Sequence, residues 1–414
     1  MNNQRIENIY LFLISILPLS IIIGPSISLS NILLIVLFFF SNLKFAEINI
    51  QNKKIFYLLI LLYIYLIFNS FISIDYKEGI FRNLGFVRFI ILFVAINFYF
   101  YISENNQKFF NIWSIIILIL VFDSFFEFFF GKNLLGYGDD LYNNRIVSFF
   151  RDEPIVGAYL LGFKFIIVGY FFEKLYKKNQ RSKIFLFLIL FIFASCIIIT
   201  GERSNGIKAI IGLMLFLFLN NKISFKVKIS IFVLSLILTG SIVTNSNYLK
   251  ARYGQQLFSQ LLDNSQRDQF IENNLYLKLY KSGLAVFKDY PIFGVGNKNY
   301  RVITTQNIET KKNNNYLLNT HPHQIYIEFL SEHGIVGSII LLAIFFFLIF
   351  KNLKEIILSR NSIQLGCFIY LLLNFIPILP SGSFFNNFNL TLFMINFSIM
   401  YAINKETNIF KKKN

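Results

Sequence analysis

The stretch His321-Pro-His-Gln-Ile-Tyr-Ile-Glu-Phe-Leu-Ser-Glu-His-Gly-Ile-Val-Gly337 lies where a polar loop meets a long apolar segment. It contains all three histidines of the chain, His321, His323 and His333. If residues 323–337 form one helix, an advance of ~100° per residue places His323, Gly334 and Gly337 close to one face. We therefore predict a titratable side chain at a membrane surface, beside small residues that let another helix come close.

The apolar segment after this stretch is one of many in the chain. Of 414 residues, 55% are hydrophobic and 18% are aromatic. Apolar runs of ~18 or more residues are typical of spanning helices. We therefore predict an all-α polytopic membrane protein. The predicted spans number about twelve, at about 8–23, 28–43, 55–74, 84–102, 112–130, 154–173, 184–200, 206–220, 227–245, 324–350, 364–380 and 386–403.

The distribution of basic residues predicts the orientation of these spans. Lysine and arginine are concentrated in alternate loops and at both termini, which the positive-inside rule assigns to the cytoplasm. The net charge of +17 is spread over many short loops, so topology explains it and we expect no nucleic-acid partner. The predicted organisation is 1–245 with nine spans, 246–323 as one large outer loop with amphipathic helices, and 324–414 with three spans and a basic tail.

Three further features bound the architecture. The first apolar run, Ile9 to Ile23, is followed by no small-residue cleavage site, so we interpret it as a retained span. Cys196 and Cys367 fall inside predicted spans and are expected to pack as apolar residues rather than form a disulfide framework. Gly294-Val-Gly296 lacks the third glycine of a dinucleotide fingerprint and is predicted to shape a turn.

Arginines of the outer loops are the candidates for binding an anion. Arg203 lies in Gly201-Glu-Arg-Ser-Asn-Gly206, and Arg267 opens an amphipathic segment of the large loop. A guanidinium binds diphosphate oxygens bidentately and stays charged, and residues 204–206 are predicted to open a helix whose N–H groups favour an anion. Taken alone, Arg203 is also explained as an interfacial anchor, and Arg267 as part of a solvated helix face. Five more arginines are outward or near the outer surface, where each is also explained as an interfacial anchor or a salt-bridge partner: Arg82, Arg88, Arg145, Arg151 and Arg301. Arg82 and Arg88 lie close to one helical face and could line a cavity.

The histidines favour proton transfer over metal binding. His321 and His323 straddle Pro322, and His333 lies almost three turns further on, so the spacing does not suit a metal site. An imidazole with a pKa near ~6.5 is a suitable general base. We predict that His323 has this role because of its helical phase with the two glycines.

These elements together resemble the O-antigen ligase and polymerase superfamily of bacterial envelopes. Its ligases carry His, then Asn, Ser or Gln, nine residues, Gly, two residues, and Gly, Thr or Tyr. His323-Gln324, nine residues and Gly334-Ile-Val-Gly337 fit that pattern. Arg203-Ser204 is similar to the family's arginine before a helix, Arg267 to the arginine of its large loop, and Pro291-Ile-Phe-Gly-Val-Gly296 to its Pro-x-x-Gly-x-Gly element.

The resemblance implies glycan transfer at the periplasmic face of the inner membrane. The donor would be a glycan on undecaprenyl diphosphate and the acceptor a sugar hydroxyl of lipid A–core, with no metal or other cofactor. His323 would accept the hydroxyl proton in an inverting displacement, while Arg203 and Arg267 neutralise the departing diphosphate. Further contacts to substrate are expected from Arg82, Arg88, Arg151, Ser204, Arg301 and Gln324. The apolar spans would hold the polyprenyl tail within the membrane lipid.

Three alternatives remain open from the sequence. A repeat-unit polymerase of the same superfamily would share the arginines, the large loop and the histidine. An oligosaccharyltransferase would deliver the glycan to protein instead. A transporter or lipid flippase, from a different class, would need charged residues deep in its spans, where Asp123, Glu127 and Lys164 are the candidates.

Overall fold

The computed structural model describes residues 3–42, 50, 52–103, 107–138, 145–151, 153–176, 180–259 and 274–410. Their regular structure is helical, with no β-strand among them. The first half contains α1 Asn3–Ser15, α2 Leu17–Ile23, α3 Pro25–Asn42, α4 Lys53–Phe71, α5 Tyr76–Leu84, α6 Val87–Ile102, α7 Gln107–Phe130, α8 Val156–Leu175 and α9 Gln180–Ile199. The second half contains α10 Arg203–Leu219, α11 Phe225–Asn245, α12 Asn247–Leu249 with a π-helix at Lys250–Ser259, α13 Leu275–Asp289, α14 Tyr300–Thr310, α15 Ile325–Phe350, α16 Leu353–Leu358, α17 Ser362–Asn374 and α18 Asn387–Ala402.

The lengths and hydropathies of these helices confirm a polytopic α-helical membrane protein. Within the described residues, eight helical segments are long and apolar enough to cross a membrane. They are Gln4–Ile23, Pro25–Asn42, Lys53–Phe71, Tyr76–Ile102, Gln107–Phe130, Val156–Leu175, Phe225–Asn245 and Ile325–Leu358. Ile184–Ile199 and Ser362–Asn374 are shorter apolar helices. A helix lies at each of the twelve predicted positions, and the number that cross the membrane stays a prediction.

Helix α8 lies at the centre of the bundle, where it packs against α9, α17 and α18. In its apolar window 83% of residues are buried, against 22% in α11, so α11 lies at the edge and faces the surroundings. Association of helices in lipid depends on close packing, which small residues allow. A Cβ on Gly169 of α8 would lie 2.5 Å from the Ser362 carbonyl oxygen, and one on Gly366 would lie 2.8 Å from the Phe165 carbonyl carbon. The α8–α17 contact therefore depends on these two glycines.

The two carboxylates of α7 bind the backbone of the loop that follows this helix. Asp123 accepts hydrogen bonds from Leu134 N at 2.9 Å and from the Ser148 hydroxyl. Glu127 accepts from Val147 N at 2.9 Å and Ser148 N at 2.6 Å. Both carboxylates thus order residues near one end of the bundle, which gives them a structural role and weakens the sequence signal for a transporter.

Candidate functional site

The helix that follows the histidine pair begins later than the sequence predicts and is broken in the middle. Helix α15 starts at Ile325, with the Gln324 side chain accepting a hydrogen bond from Ile327 N at 2.9 Å as its N-cap. His323 precedes it in left-handed backbone geometry, with φ of 58°. Gly334 then interrupts the helix at φ 62° and ψ −170°. The prediction that His323 shares one helical face with Gly334 and Gly337 is therefore wrong.

The break at Gly334 is filled by the backbone of residues 291–296. Val295 N donates to Ser331 O at 3.0 Å and Gly296 N to Glu332 O at 2.8 Å. In the other direction, Ile335 N and Val336 N donate to the carbonyls of residues 291 and 292, at 2.8 and 3.2 Å. A helix break normally leaves backbone groups without partners, and this extended segment supplies them. The glycine-rich motif and the histidine motif therefore meet, as a turn beside the candidate site.

Close backbone approach explains the glycines of both motifs. A Cβ on Gly294 would lie 2.5 Å from His333 N, and one on Gly334 would lie 2.5 Å from Phe293 N. Gly337 instead faces the Tyr65 hydroxyl, which a Cβ at that position would overlap. Small residues thus do let another helix approach α15, but it is α4 that does so, at Gly337.

Buried asparagines fix the glycine-rich segment to α4 and α5. Asn297 N donates to Asn69 Oδ1 at 2.8 Å, and Asn297 Nδ2 donates to Asn83 Oδ1 at 2.5 Å. Asp75 N donates to Asn299 Oδ1 at 2.7 Å. Each of these amides is hydrogen-bonded in a buried environment, so the segment has one defined position.

His321 and His323 form a pair of imidazoles beside the start of α15. Their ring centroids are 3.9 Å apart, and Tyr276 of α13 contacts His323 edge to face at 5.8 Å. His321 is 9% exposed, and its Nδ1 is 2.9 Å from the Thr320 hydroxyl oxygen. His323 is only partly buried. Its carbonyl accepts a hydrogen bond from Ser381 N at 2.8 Å, which holds the left-handed turn in place.

Burial keeps both imidazoles uncharged at neutral pH. Burial, with smaller contributions from the neighbouring His323 and Lys298, lowers the pKa of His321 to about 3. It also lowers the pKa of His323, partly opposed by the backbone of Ser381. A neutral imidazole has a lone pair free to take a proton. Because His323 is the more accessible of the two, the geometry favours it as the proton acceptor for a reason other than helical phase.

His333 has a packing role. It is fully buried, with Nδ1 3.1 Å from the Tyr65 hydroxyl oxygen. The rings of Phe329 and Phe385 lie 6.0 and 5.6 Å from it. An imidazole enclosed in this way has no path to a reacting sugar.

A buried ionic network holds the loop that contacts His323. The Glu328 carboxylate accepts from the Ser383 hydroxyl at 2.5 Å and from Phe384 N at 3.0 Å. Lys298 Nζ lies 3.9 Å from the same carboxylate and donates to the Ser383 hydroxyl. Because Lys298 follows the glycine-rich segment and Ser381 precedes Ser383, the network connects three parts of the site.

The loop Gly201–Gly206 is organised by Glu202. Its carboxylate accepts from Gly157 N at 2.6 Å and Ala158 N at 3.2 Å, at the start of α8, and from Asn205 Nδ2 at 2.6 Å. Burial raises the pKa of Glu202 to about 7, although these hydrogen bonds and Arg145 act in the opposite direction. Helix α10 begins at Arg203, so Ser204 lies within its first turn rather than at its cap. The Asn205 side chain is used to donate a hydrogen bond to the Glu202 carboxylate.

Three arginines lie around this loop. Arg252, on the π-helix, donates to Gly201 O from Nε at 3.3 Å and from Nη2 at 3.0 Å. Burial lowers its pKa, and the positive charges of Arg145 and Arg203 lower it further. Tyr276 also acts electrostatically on Arg252 and contacts His323, so one side chain links this basic group to the imidazole pair. We call Arg145, Arg203 and Arg252 the first arginine group.

A second arginine group comprises Arg82, Arg88 and Arg301. Arg82 Nη1 and Arg88 Nη2 donate to the same Asn387 Oδ1, at 2.6 and 2.8 Å. Arg301 interacts electrostatically with both Arg82 and His321. The side chains predicted to share a face of span four are therefore brought together, and Arg301 links this group electrostatically to His321.

Two predicted site residues remain, Arg267 and Arg151. Arg267 lies outside the described residues. Arg151 is exposed, has a φ of 58° and borders a cavity that also contacts Arg88.

Among the described residues, no group of three histidine, cysteine, aspartate or glutamate side chains is arranged to hold a metal ion. Cys196 and Cys367 are buried free thiols, as predicted.

Four features of the site were not predicted from the sequence: Arg252, Tyr276, Lys298 and the hydrogen bonds that Glu202 accepts. None belongs to a recognisable spacing, because each reaches the site from a different segment. The acidic residue beside Arg203 was the one local signal, since a carboxylate adjacent to a helix start often binds backbone N–H groups.

Comparison with known families matches residues 185–342 to the family described as O-Antigen ligase. This range contains the Glu202–Arg203 loop, the glycine-rich segment, the imidazole pair and the break at Gly334. No curated protein sequence matches the chain. Residues 185–342, which hold the core of the site, are therefore similar to the O-antigen ligase family.

Proposed function

We propose that this protein is an O-antigen ligase-type glycosyltransferase of the bacterial inner membrane, with its site facing the periplasm. The donor is a glycan on undecaprenyl diphosphate, and the acceptor is a sugar hydroxyl of lipid A–core. The observation that carries the proposal is a partly buried, uncharged His323 in contact with His321 and Tyr276, within the family-matched range. Tyr276 interacts electrostatically with Arg252, and His321 interacts electrostatically with Arg301. The predicted topology, with both termini in the cytoplasm, puts this end of the bundle outside.

His323 acts as the general base. It takes the proton of the acceptor hydroxyl while that oxygen forms a bond to the anomeric carbon of the donor. The bond from the anomeric carbon to the phosphate oxygen breaks in the same step, and undecaprenyl diphosphate leaves with the electron pair. A single displacement inverts the anomeric configuration. The donor is already activated, so the step uses no nucleotide, and the proton acceptor is an imidazole rather than a metal-bound base.

The first arginine group binds the diphosphate. Arg203 lies at the positive end of α10, and Arg145 and Arg252 add charge to the same region. Charge develops on the leaving diphosphate during the displacement, so fixed guanidiniums stabilise the transition state more than the ground state. Arg267 is proposed to join them, on the family resemblance. Ser204, in the first turn of α10, is proposed to bind the same phosphate oxygens.

The second arginine group and the N-cap residue serve the acceptor side. Arg82 and Arg301 lie towards His321, so they are proposed to bind anionic groups of the acceptor core. Gln324 directs its side-chain oxygen to Ile327 N, so its contribution is to hold the start of α15 beside His323. A repeat-unit polymerase would use the same base and arginines with a second lipid-linked glycan as acceptor.

The test is transfer in vitro from a lipid-linked glycan to purified lipid A–core, with and without a chelator. His323→Ala is expected to lower the rate by about 10²–10⁴-fold, the usual contribution of a general base. Arg203→Gln and Arg252→Gln are expected to weaken donor use. Arg5→Gln, an exposed arginine near the N-terminus, is the matched control and should transfer normally.

Four results would contradict parts of this proposal. Transfer by His323→Ala at the normal rate would contradict the role of His323 as general base. Loss of transfer on chelation would contradict a metal-independent mechanism. In a deletion strain, a lipopolysaccharide core that carries one repeat would indicate the polymerase, whereas polymer left on the lipid carrier would indicate the ligase. Unchanged lipopolysaccharide with altered glycoprotein would indicate an oligosaccharyltransferase.

A further inference from the structure

A cavity of about 260 Å³ lies apart from the imidazole pair. It is bordered by the turn between α2 and α3, the start of α6, residues 149–151, 153 and 155, and the start of α18. Much of its wall is apolar, with Ile21, Ile32, Phe89, Phe150 and Phe388 among the lining side chains. Such a wall offers no hydrogen bonds to a polar solute, and it favours a hydrocarbon segment.

The polar part of the lining is dominated by positive charge. Arg88 and Arg151 contribute two guanidiniums, and Glu153 contributes the one carboxylate among the described lining residues. Arg88 donates to two neutral oxygens, Gly85 O at 2.6 Å and Asn387 Oδ1 at 2.8 Å. Its Nε is buried without a hydrogen-bond partner in the described part of the chain. Neither arginine forms an ion pair there.

We propose that this cavity is a binding site for an anionic phospholipid of the surrounding membrane, with its phosphate on Arg88 and Arg151 and one acyl chain against the apolar wall. A partly buried guanidinium whose hydrogen bonds go to neutral oxygens, such as that of Arg88, is stabilised when a phosphate supplies the missing negative charge. The apolar lining accepts the chain that is attached to that phosphate. The site replaces the substrate contact predicted for Arg88 and Arg151 with contact to a lipid.

The size of the cavity limits how much of a lipid it can hold. Its volume is slightly below the ~300 Å³ at the lower end of ordinary small-molecule pockets. It therefore holds part of one acyl chain. A glycerophospholipid can place one chain inside and leave the other in the bilayer. Arg88 and Arg82 donate to the same Asn387 oxygen. By binding Arg88, the lipid would therefore also help to fix the position of the second arginine group.

The experiment measures lipid retention rather than glycan transfer, so it stands or falls independently of the proposed function. The full chain is purified in detergent, and phosphatidylglycerol or phosphatidylcholine is added at matched concentrations. Native mass spectrometry then counts the bound lipids. Two variants address the two parts of the site: Arg88→Gln removes the charge, and Ser28→Phe fills the cavity, since Ser28 is a buried lining residue of α3. Ser30→Phe, on the same helix but exposed, is the matched control.

Wild-type protein is expected to retain one phosphatidylglycerol in preference to phosphatidylcholine. Hydrogen bonds to charged groups are the stronger kind, so Arg88→Gln should lower that occupancy by at least about fivefold. Ser28→Phe should do the same, and Ser30→Phe should leave it within about twofold of wild type.

Equal retention of the two phospholipids by the wild type would overturn the proposal. Equal loss from Ser28→Phe and Ser30→Phe would also overturn it, because the cavity would not be the site. A further arm adds undecaprenyl phosphate. If that lipid displaces phosphatidylglycerol and Ser28→Phe prevents its binding, the cavity belongs to the isoprenoid donor and not to a phospholipid of the membrane.

Discussion

Replacement of Gly334 by alanine tests whether the break in α15 is required by its pairing with residues 291–296. An L-residue at φ 62° and ψ −170° occupies a region that is essentially restricted to glycine, at a cost of about 1–3 kcal/mol. The new Cβ would also overlap the backbone of Ile292 and lie 2.5 Å from Phe293 N. The extended segment must then move away from Ile335 N and Val336 N. Two lost hydrogen bonds bring the expected destabilisation to about 2–6 kcal/mol.

The matched control is Gly240→Ala in α11. No described atom lies within 4 Å of a Cβ at Gly240, and its backbone is helical, so alanine there should stabilise the protein by about 0.5–1 kcal/mol. Unfolding in mixed micelles can be followed by Trp113, the one tryptophan of the chain. That side chain is fully buried, with Nε1 donating to Ile14 O at 3.0 Å. Its fluorescence therefore reports loss of helix packing.

Amide hydrogen exchange supplies the local readout. In Gly334→Ala, faster exchange is expected for the amides of Val295 and Ile335, which donate across the break. Gly240→Ala should leave both unchanged. The reasoning fails if Gly334→Ala unfolds within about 0.5 kcal/mol of wild type, the usual range for surface changes. Unchanged exchange at these amides would refute it equally, because the pairing would then tolerate a side chain.

Three further predictions concern the base and its surroundings. Because the pKa of His323 is lowered, its neutral imidazole persists below pH 6.5. The acid limb of the pH–rate profile should therefore have its midpoint below 6.5. A midpoint above that value would contradict His323 as the general base. The lowered pKa of His321 has a related consequence for stability. As pH falls from about 6.5 towards about 3, the unfolded chain takes up a proton that the folded chain does not, and titration of His321 should contribute a loss of stability across that window. Glu328→Ala leaves the buried Lys298 without its carboxylate and should cost about 3–5 kcal/mol in mixed-micelle unfolding. The exposed Glu309→Ala is the control, and equal effects of these two substitutions would show that the buried network contributes little.

The helices could be predicted from the sequence because their determinants are local. Long apolar runs must satisfy their backbone groups internally in lipid, which leaves a helix as the solution for an isolated run. The structure accordingly has a helix at each predicted position. The positions of Arg203 and His323 at one end of the bundle also follow from local order, because both lie in short polar stretches beside apolar runs.

The geometry of the site could not be predicted in the same way. The helical phase of His323 was wrong because α15 begins after it, and the left-handed turn that carries it is held by Ser381, 58 positions along the chain. Asn297 bonds to Asn69 across 228 positions. A periodic pattern contains no information on such distant partners.

The sequence by itself determined which segments form apolar helices, and which stretches beside them carry arginine, histidine and glycine. Only the tertiary structure decided that Tyr276 contacts His323 and interacts electrostatically with Arg252, and that His333 is enclosed by aromatic rings. The physical reason is that helix formation in an apolar run depends on neighbours along the chain. A site, in contrast, depends on side chains brought together from separate segments. Those contacts exist only once the helices have packed and the break at Gly334 has been filled.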